Sequence, residues 1–487
     1  MLHWPYLTDI WKFERGITDV FSCTADSNRL QTPDQASNLS AFQDRLTAGS
    51  FPPLHFRIQP NNERNNKMKY ITFLGLGGEK GYRELVTYFE GQEEDFSVTC
   101  LVQSHIYSCF KDKIDEVHVF LTEESKERYF DELCECIPPD LIHEIKISQN
   151  ISSEEFVNHL IQILKDDDEV ILDVTHSFRK IPIRLLFALR YVEAMKNVNI
   201  QHIFYGEVEK QNTDDSYSII HDLARDYQIQ KITEYLSQFD RTLIIQEEDW
   251  KSLVLVDEPV RALLQSLTRF NEMTEFCDLS AAVNAVNEIT DRASAIENQA
   301  RKITGVNPYA LLLPLTKNIK DKFLKARNKQ KEKDVLIEII RIMLEHQRYQ
   351  LAITFTDELF TRELIHSVIE PQSKKFDEVA LKKKLKNFSR MNQFTYQCGQ
   401  YLKYVLGLRS NYTGKNERVM ETAFDDFNEN IDRLLPVCQK YNEDYQHFSN
   451  KIRNSMNHGS GMKHSSADLQ KDIQESVTNM LNFIQEL

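Results

Sequence analysis

The spacing of apolar residues changes character near residue 223. Before that point, short β-branched runs alternate with stretches whose apolar positions recur every three or four residues, a pattern typical of strands and amphipathic helices. After it only the helical spacing remains, as in Val335–Leu344, Leu351–Leu364 and Phe424–Tyr441. The pattern predicts an α/β domain over residues 68–222, with a mainly parallel sheet covered by helices on both faces, and an all-α region over residues 223–487.

Six strands are predicted in the α/β domain. Each is a short apolar run bounded by polar or turn-forming residues, and they span Tyr70–Leu76, Glu116–Thr122, Ile142–Ile147, Val170–Val174, Asn199–Tyr205 and, as an edge strand, Tyr217–Asp222. Helices are expected over residues 82–89, 123–136 and 153–165, and from Phe178 onward. Residues 1–67 show neither period and end in a polar stretch, so we expect them to form a peripheral extension.

Composition narrows the class of protein. The chain has 487 residues, of which 41% are hydrophobic and 27% charged, and its formal net charge is −15. This acidity argues against a protein whose whole surface coats nucleic acid, although it leaves room for a local basic groove. The eight cysteines lack zinc-site spacing, no apolar run approaches the roughly 18 residues of a membrane span, and no signal peptide is evident. We expect a cytoplasmic protein without a metal site or membrane association.

A polar loop follows one of the predicted buried strands. Thr175, His176 and Ser177 come directly after the strand that ends at Val174, and Arg179 lies at the start of the next helix. Ligands of open α/β sheets bind at the carboxyl ends of strands, and a helix N-terminus favours anions. A hydroxyl that only caps the helix is the simpler interpretation. A cap needs one hydroxyl, however, and this loop adds an imidazole and a guanidinium, so we interpret it as an anion or nucleotide pocket.

Glycines follow the first strand. The backbone of a turn that contains Gly75 and Gly77 allows close approach of a phosphate. Lys80 stands where the third glycine of the dinucleotide-binding GxGxxG pattern belongs, and the sequence has no P-loop, which argues against a classical dehydrogenase and a P-loop enzyme. Thr122 ends its strand as Thr175 does, so we expect Thr122 to line the same crevice.

A second set of chemically capable residues lies near the C-terminal end. Arg453, Asn454 and His458 precede glycines that end a predicted helix. A histidine there is often only a favourable cation at the negative end of the helix dipole. The trio nevertheless suits RNA cleavage without a metal: the histidine acts as general acid or base, the arginine neutralises charge on the scissile phosphate, and the asparagine orients either group.

Two resemblances coincide at these motifs. One is to the CRISPR-associated Rossmann-fold (CARF) sensor domain, and it rests on Asp173-Val-Thr-His-Ser-Phe-Arg179 with Pro182 and on Phe73-Leu-Gly-Leu-Gly77 with Tyr82. The first string is close to the DVTHGFRxxP of that family, with Ser177 in place of glycine. The other resemblance is of Arg453-Asn-Ser-Met-Asn-His458 to the R-x4-6-H active site of HEPN ribonucleases.

The resemblance implies a Rossmann-like parallel-sheet CARF domain over residues 68–222, and an all-α region over 223–487 that ends in a HEPN domain. It also implies a homodimer that binds cyclic oligoadenylate across paired sensor domains. Binding would allosterically activate an endoribonuclease of type III CRISPR antiviral defence, which cuts single-stranded RNA, leaves a 2′,3′-cyclic phosphate and needs no metal or other cofactor. The implied ligand-binding residues are Gly75, Gly77, Thr122, Thr175, His176, Ser177 and Arg179, and the implied catalytic residues are Arg453, Asn454 and His458.

Two alternatives stay open at the level of sequence. The protein is a nucleotide-sensing regulator without catalytic activity if its helical half only binds a partner or DNA. In that case the Arg453, Asn454 and His458 set has no explanation, and no helix-turn-helix signature is evident. The second alternative is a ring nuclease, in which the hydroxyls of Thr175 and Ser177 help to degrade the cyclic oligoadenylate. This activity is compatible with RNA cleavage by the helical half.

Overall fold

The computed structural model describes residues 67–487, apart from residues 78–80, 93, 177–179, 210–215, 252, 254–255, 304–308, 370, 372–390, 413–416, 455 and 457–465. By its internal contacts the chain divides into two units, residues 1–65 and residues 66–487, and only the second is described. The extension predicted for residues 1–67 therefore lies, except for its last residue, outside the described part of the chain.

An eight-stranded mixed sheet forms the first half of the described chain. Its strands are β1 (Met68–Leu74), β2 (Leu85–Phe89), β3 (Phe96–Thr99), β4 (Glu116–Leu121), β5 (Ile142–Lys146), β6 (Glu169–Asp173), β7 (Asn199–Glu209) and β8 (Tyr217–Asp222). Across the sheet the order is β3-β2-β8-β7-β6-β1-β4-β5. The five strands from β7 to β5 are mutually parallel, as predicted. Strand β8 is antiparallel to β7, β2 is parallel to β8, and β3 is antiparallel to β2, so the sheet also carries an antiparallel extension.

The strand order reverses between β1 and β6. From β1 the chain moves outward to β4 and β5, and it then returns to the other side of β1 to form β6 and β7. In doubly wound sheets the crevice outside the carboxyl ends of strands at such a point is the place where ligands bind. Because β1 ends at Leu74 and β6 at Asp173, the glycine turn and the Thr175–His176 loop both leave from this crevice.

Helices cover both faces of the parallel core, as predicted. They are α1 (Val102–Phe110), α2 (Glu123–Cys136), α3 (Ser153–Ile163) and α4 (Lys180–Met195). Successive side chains of a strand point to opposite faces. Tyr70 accordingly joins the core that contains Ile106 of α1 and Leu133 of α2, whereas Ile71 joins the core that contains Phe156 of α3 and Leu185 of α4.

The helix predicted over residues 82–89 is wrong. Leu85–Phe89 form strand β2, which pairs with β8 through Val86 and Tyr217 and with β3 on its other side. The β-branched and aromatic residues of β2 suit a pleated surface. Strand β8 lies far along the sequence, so local periodicity carries no information about this pairing.

The elements described after Asp222 are helical. They are α5 (Ala224–Thr242), α6 (Glu247–Trp250), α7 (Glu258–Glu275), α8 (Leu279–Lys302), α9 (Leu313–Arg327), α10 (Glu332–Glu345), α11 (Tyr349–Ile369), α12 (Met391–Val405), α13 (Glu417–Phe424), α14 (Asn428–Lys440), α15 (Asn442–Gln446) and α16 (Ser466–Glu486). A 3₁₀ turn, Asp425–Phe427, precedes α14, and a π-helical segment, His447–Arg453, follows α15. One hydrophobic core joins these helices, from Ile232 to Ile484. The predicted all-α second half is therefore present.

Helix α5 belongs to two cores at once. Ala224 and Tyr227, in its first turn, pack in the core beneath α3 and α4. Leu236 and Phe239, further along the same helix, pack in the core of the helical half. The same helix therefore contributes side chains to the cores of both halves, and this shared helix fixes the position of the sheet relative to the helices that follow.

Candidate functional site

The loops after β1 and β6 touch through their backbones. A β-carbon built at Gly75 would lie 2.3 Å from the carbonyl oxygen of His176, far inside van der Waals contact. Gly77, two residues further on, has a φ of +67°, in the left-handed region that favours glycine. The structure thus brings Gly75 and His176 together, two of the residues that the sequence singled out, and places Gly77 in the same turn as Gly75.

A buried carboxylate fixes the loop after β6. Asp173 is the last residue of β6 and is fully buried. Its Oδ2 accepts a hydrogen bond from the hydroxyl of Thr72 at 2.7 Å, and its Oδ1 accepts one from the backbone N–H of Thr175 at 2.9 Å. The hydroxyl oxygen of Thr175 accepts the N–H of Gly206 at 2.8 Å. Because Thr72 lies on β1 and Gly206 on β7, these bonds tie the loop to both neighbouring strands.

Aromatic rings pack beside the two loops. The Tyr82 ring centroid lies 4.5 Å from that of His176 and 4.6 Å from that of Tyr129 on α2. Burial lowers the pKa of His176, and the nearby carboxylate of Asp173 opposes this effect. Burial also raises the pKa of Tyr82, and the backbone N–H of Gly77 opposes it. Both rings are therefore neutral at physiological pH.

One ring nitrogen at this place has no partner among the described residues. The Nε2 atom of His176 is shut off from solvent and makes no hydrogen bond with any described residue. Buried polar atoms are almost always hydrogen-bonded, so an exception calls for an explanation. A polar ligand in the crevice would supply the missing partner.

Thr122 is engaged at the start of α2. Its hydroxyl accepts the N–H of Ser125 at 3.2 Å, and the Ser125 hydroxyl accepts the N–H of Thr122 at 3.0 Å, which is a reciprocal capping box. Thr122 directly follows β4, the strand beside β1, and its predicted place in the ligand crevice stays a prediction. Ser177 and Arg179, the other two predicted ligand-binding residues, lie outside the described residues.

In the helical half, Arg453 is part of a network of charges. Its Nη2 lies 3.1 Å from Oδ2 of Asp357 on α11. The other oxygen of that carboxylate, Oδ1, lies 3.3 Å from Nζ of Lys403 on α12, which also donates to the Thr361 hydroxyl at 2.8 Å. The side chains of Asp357 and Lys403 are 11% and 2% exposed, whereas that of Arg453 is 28% exposed. Arg453 is thus held by a buried carboxylate and keeps a solvent-accessible part.

A glycine allows α11 and α12 to approach closely at this network. A β-carbon at Gly399 would lie 2.3 Å from Cγ2 of Thr361. One turn further along α12, the ammonium of Lys403 lies 5.5 Å from the ring centroid of Phe360 and 5.9 Å from that of Tyr445. The lysine therefore has a fixed place between two aromatic faces and the polar groups of α11.

The segment that leads to Arg453 is π-helical. π-helical turns are rare and often occur at functional sites. Phe448 and Ile452 of the segment are buried in the helical core. At its start, Nε2 of His447 lies 2.8 Å from Oδ1 of Asp472 on α16, so the segment is anchored at its start and along its inner side.

Of the three predicted catalytic residues, two are described. Arg453 ends the π-helical segment in contact with α11, and Asn454 follows it as an exposed residue. His458 lies outside the described residues. The joint catalytic role predicted for Arg453, Asn454 and His458 therefore stays a prediction.

Sequence reasoning missed the buried charges around these motifs. Asp357 is one of the buried residues of α11, most of which are apolar. A charge in such a position requires a partner of opposite sign. From that rule a buried ion pair could have been predicted at Asp357. Its partners, Lys403 and Arg453, are identified only by the structure.

Two general properties of the described residues bear on function. Among them, no three His, Cys, Asp or Glu side chains are grouped so that they could hold a metal ion. No described helix is both long and apolar enough to cross a membrane. Metal-independent chemistry stays a prediction.

Comparison with known proteins gives one partial similarity. No family model matches the chain. A segment of 50 residues is 42% identical to the CRISPR-associated protein MJ1674 of Methanocaldococcus jannaschii. The segment amounts to 10% of this chain and 8% of that protein, so the match spans a small part of either length. Part of the chain is therefore similar to a CRISPR-associated protein.

Proposed function

We propose that the protein is an endoribonuclease of type III CRISPR antiviral defence, which cyclic oligoadenylate activates and which cuts single-stranded RNA without a metal. The observation that carries the proposal is the contact between the Gly75 turn and the His176 loop at the point where the strand order reverses. The Arg453 network in the helical half and the partial similarity to a CRISPR-associated protein support it. In this proposal the α/β half is a CARF sensor and the helical half ends in a HEPN ribonuclease.

The features of the crevice fit an anionic nucleotide. The glycine backbone admits a phosphate to close range, and Gly77 turns the chain with a positive φ. The Nε2 atom of His176, which has no partner among the described residues, could form a hydrogen bond with a ligand. Because Asp173 fixes the loop after β6 before any ligand arrives, binding costs little ordering of the protein.

The cleavage chemistry assigns one role to each residue of the trio. His458 removes the proton of the 2′-hydroxyl or protonates the leaving 5′-oxygen. The 2′-oxygen attacks phosphorus and the P–O5′ bond breaks, which gives a 2′,3′-cyclic phosphate and a 5′-hydroxyl. Arg453 neutralises charge that builds up on the phosphate, and Asn454 orients the reacting groups by hydrogen bonding.

An exposed apolar stripe on α4 supports the proposed homodimer. Ile183, Phe187 and Tyr191 recur every four residues and are 57%, 67% and 56% exposed. Soluble monomers rarely expose a continuous apolar surface of this kind. Helix α4 begins at Lys180, close in the chain to Thr175 and His176, so a two-fold contact that pairs the stripes in parallel would bring the two loops of the dimer close to each other.

Ion pairs between α4 and α5 support the proposed communication between the two halves. Nζ of Lys231 on α5 lies 2.9 Å from Oε1 of Glu193 on α4, and the guanidinium of Arg190 on α4 pairs with the carboxylate of Glu234 on α5. Helix α4 starts at the candidate ligand loop, and α5 is part of the helical core. A shift of α4 on ligand binding would therefore be transmitted to the helical half.

The test is cleavage of a fluorophore-quenched single-stranded RNA in EDTA. The purified protein is assayed without activator and then with cyclic tri-, tetra- and hexa-adenylate, beside His458→Ala and Arg453→Ala variants. We expect cleavage with one ring size and its loss in both variants. Ring binding without cleavage would contradict the proposal and favour the non-catalytic regulator. Chromatography of the rings from the same reactions, with a Thr175→Ala/Ser177→Ala variant for comparison, tests the ring nuclease.

A further inference from the structure

Asp357 divides its carboxylate between two cations. Oδ1 lies 3.3 Å from Nζ of Lys403, and Oδ2 lies 3.1 Å from Nη2 of Arg453. The lysine is buried on α12, whereas the arginine is partly exposed at the end of the π-helical segment. One carboxylate therefore connects an interior charge to a cation that reaches the surface.

A contribution to stability is a weak explanation for this arrangement. A buried ion pair is often no more stabilising than apolar side chains of the same volume, because both charges lose their hydration. The surrounding core is apolar, with Phe360 and Tyr445 beside the ammonium. The contact of the second carboxylate oxygen with Arg453 gives a better explanation for a charged pair at this place.

We propose that Asp357 is the positioning residue for Arg453 in RNA cleavage, and that Lys403 in turn fixes Asp357. This inference rests on the proposed ribonuclease function. An arginine side chain has many rotamers. When an unrestrained arginine binds a phosphate, the conformational entropy that it loses offsets part of the interaction energy. Asp357 contacts the guanidinium through one terminal nitrogen, and the Arg453 side chain is 28% exposed, so part of the guanidinium is accessible to the scissile phosphate. Asp357 itself does not touch the substrate in this assignment.

The network of α11 and α12 gives this restraint its rigidity. Thr361 accepts a hydrogen bond from Lys403 at 2.8 Å, and Gly399 allows the two helices to pack closely beside it. The carboxylate is therefore anchored from the interior before RNA binds. A guanidinium displaced by about 1 Å from its productive place can cost on the order of a hundredfold in rate.

The test measures kcat and KM for RNA cleavage in Asp357→Asn and Asp357→Glu variants with the activating ring at saturation. We expect Asp357→Asn to lower kcat 10- to 100-fold with less than a threefold change in KM, and Asp357→Glu, which keeps the charge, to recover part of that loss. Since Asp357→Asn leaves the Lys403 charge buried without its partner, Asp357→Asn/Lys403→Met is assayed as well and is expected to show the same loss of kcat. The matched control is Glu297→Gln, which removes the carboxylate of another half-buried ion pair in the helical half, 2.8 Å from Lys320. It is expected to keep the wild-type kcat.

A second background separates positioning from a general structural effect. The Asp357→Asn substitution is also made in an Arg453→Lys variant, where the residue through which Asp357 acts is already changed. We expect the double variant to have a kcat less than twofold below that of Arg453→Lys alone. A wild-type kcat in Asp357→Asn, or an equal loss in both backgrounds, would overturn the inference while the ribonuclease itself stands. An inactive wild-type protein with every ring would overturn the proposed function, and the inference with it.

Discussion

Gly75 and His176 are in contact across the crevice between β1 and β6, so close that a β-carbon at Gly75 would lie 2.3 Å from the carbonyl oxygen of His176. The contact is between backbone atoms, so no change of rotamer relieves a clash. The glycine turn and the loop after β6 therefore have one relative position, and each defines the shape of the other. Substitutions at either side act on both loops.

The first prediction follows from this contact. Gly75→Ala forces the two loops apart, and we expect at least a tenfold weaker affinity for the activating ring, measured by isothermal titration calorimetry. The control is Gly91→Ala, where the added methyl group meets no atom within 4 Å. Because Gly91 has a φ of +77°, the control loses about 1 kcal/mol of stability but keeps ring affinity. Equal affinities of the Gly75→Ala variant and the wild type would show that this turn takes no part in binding.

The second prediction concerns the hydroxyl of Thr175. Its oxygen accepts the N–H of Gly206, so Thr175→Val leaves that backbone group without its partner. We expect a loss of about 1–3 kcal/mol in the free energy of unfolding, measured by urea denaturation without ligand. Thr175→Ser keeps the hydroxyl and is expected to change stability by less than half of that amount. If Thr175→Val instead kept the wild-type free energy of unfolding and lost affinity for the ring, the hydroxyl would serve ligand binding and not the stability of the loop.

The third prediction is a loss of stability in acid. Burial lowers the pKa of His118 to about 4, although its hydrogen bond to Glu116 opposes the effect. The unfolded chain binds a proton near pH 6.5, and the native His118 does not. Stability therefore falls as the pH drops from about 6.5 to about 4, by up to ~3 kcal/mol for a shift of this size.

Glu116 adds to the same trend at lower pH. Burial raises the pKa of Glu116, but the hydrogen bond from Lys67 and the charge of Lys69 outweigh it and lower the pKa to about 2. This carboxylate stabilises the fold above pH 4.5, and that contribution is lost as the pH falls toward 2. Urea midpoints from pH 7 to pH 4 test the histidine. His118→Gln should flatten the profile in this range, and His143→Gln, at the exposed ring stacked on His118, should keep most of it.

The fourth prediction concerns the stripe on α4. Phe187→Glu/Tyr191→Glu places two charges on the proposed contact between copies of the chain. If the proposed dimer forms through this stripe, we expect the variant to sediment as a monomer at micromolar concentration, where the wild type sediments as a dimer, with an unchanged circular dichroism spectrum. Phe276→Glu is the matched control, because this ring is 79% exposed and belongs to the helical half, outside the stripe. A dimer that survives the double substitution would place the two-fold contact elsewhere.

The sequence was sufficient to predict those elements whose own residues show the pattern of a strand or a helix. The strands that end at Leu121 and Asp173 are apolar runs buried on both faces, and such runs are visible in the sequence. Strand β2 was mistaken for a helix, because its identity depends on pairing with β8. In the same way, the contact of Asp357 with Arg453 joins two helices far apart in the chain, so no local pattern contains it. Capping of α2 by Thr122 is local, but the sequence did not reveal whether that hydroxyl caps the helix or binds a ligand.

Helix α5 limits how the chain can be divided into separate domains or joined into chimeras. A chain cut after Asp222 would remove Ala224 and Tyr227 from the interior of the α/β half and expose the surface that they cover. A chain begun at the same point would leave these two residues facing water at its new end. Fragments and chimeras therefore inherit a damaged interior unless both parts retain their own copy of the helix. The boundary visible in the sequence is a change of architecture, and it is not a place where the chain separates into exchangeable modules.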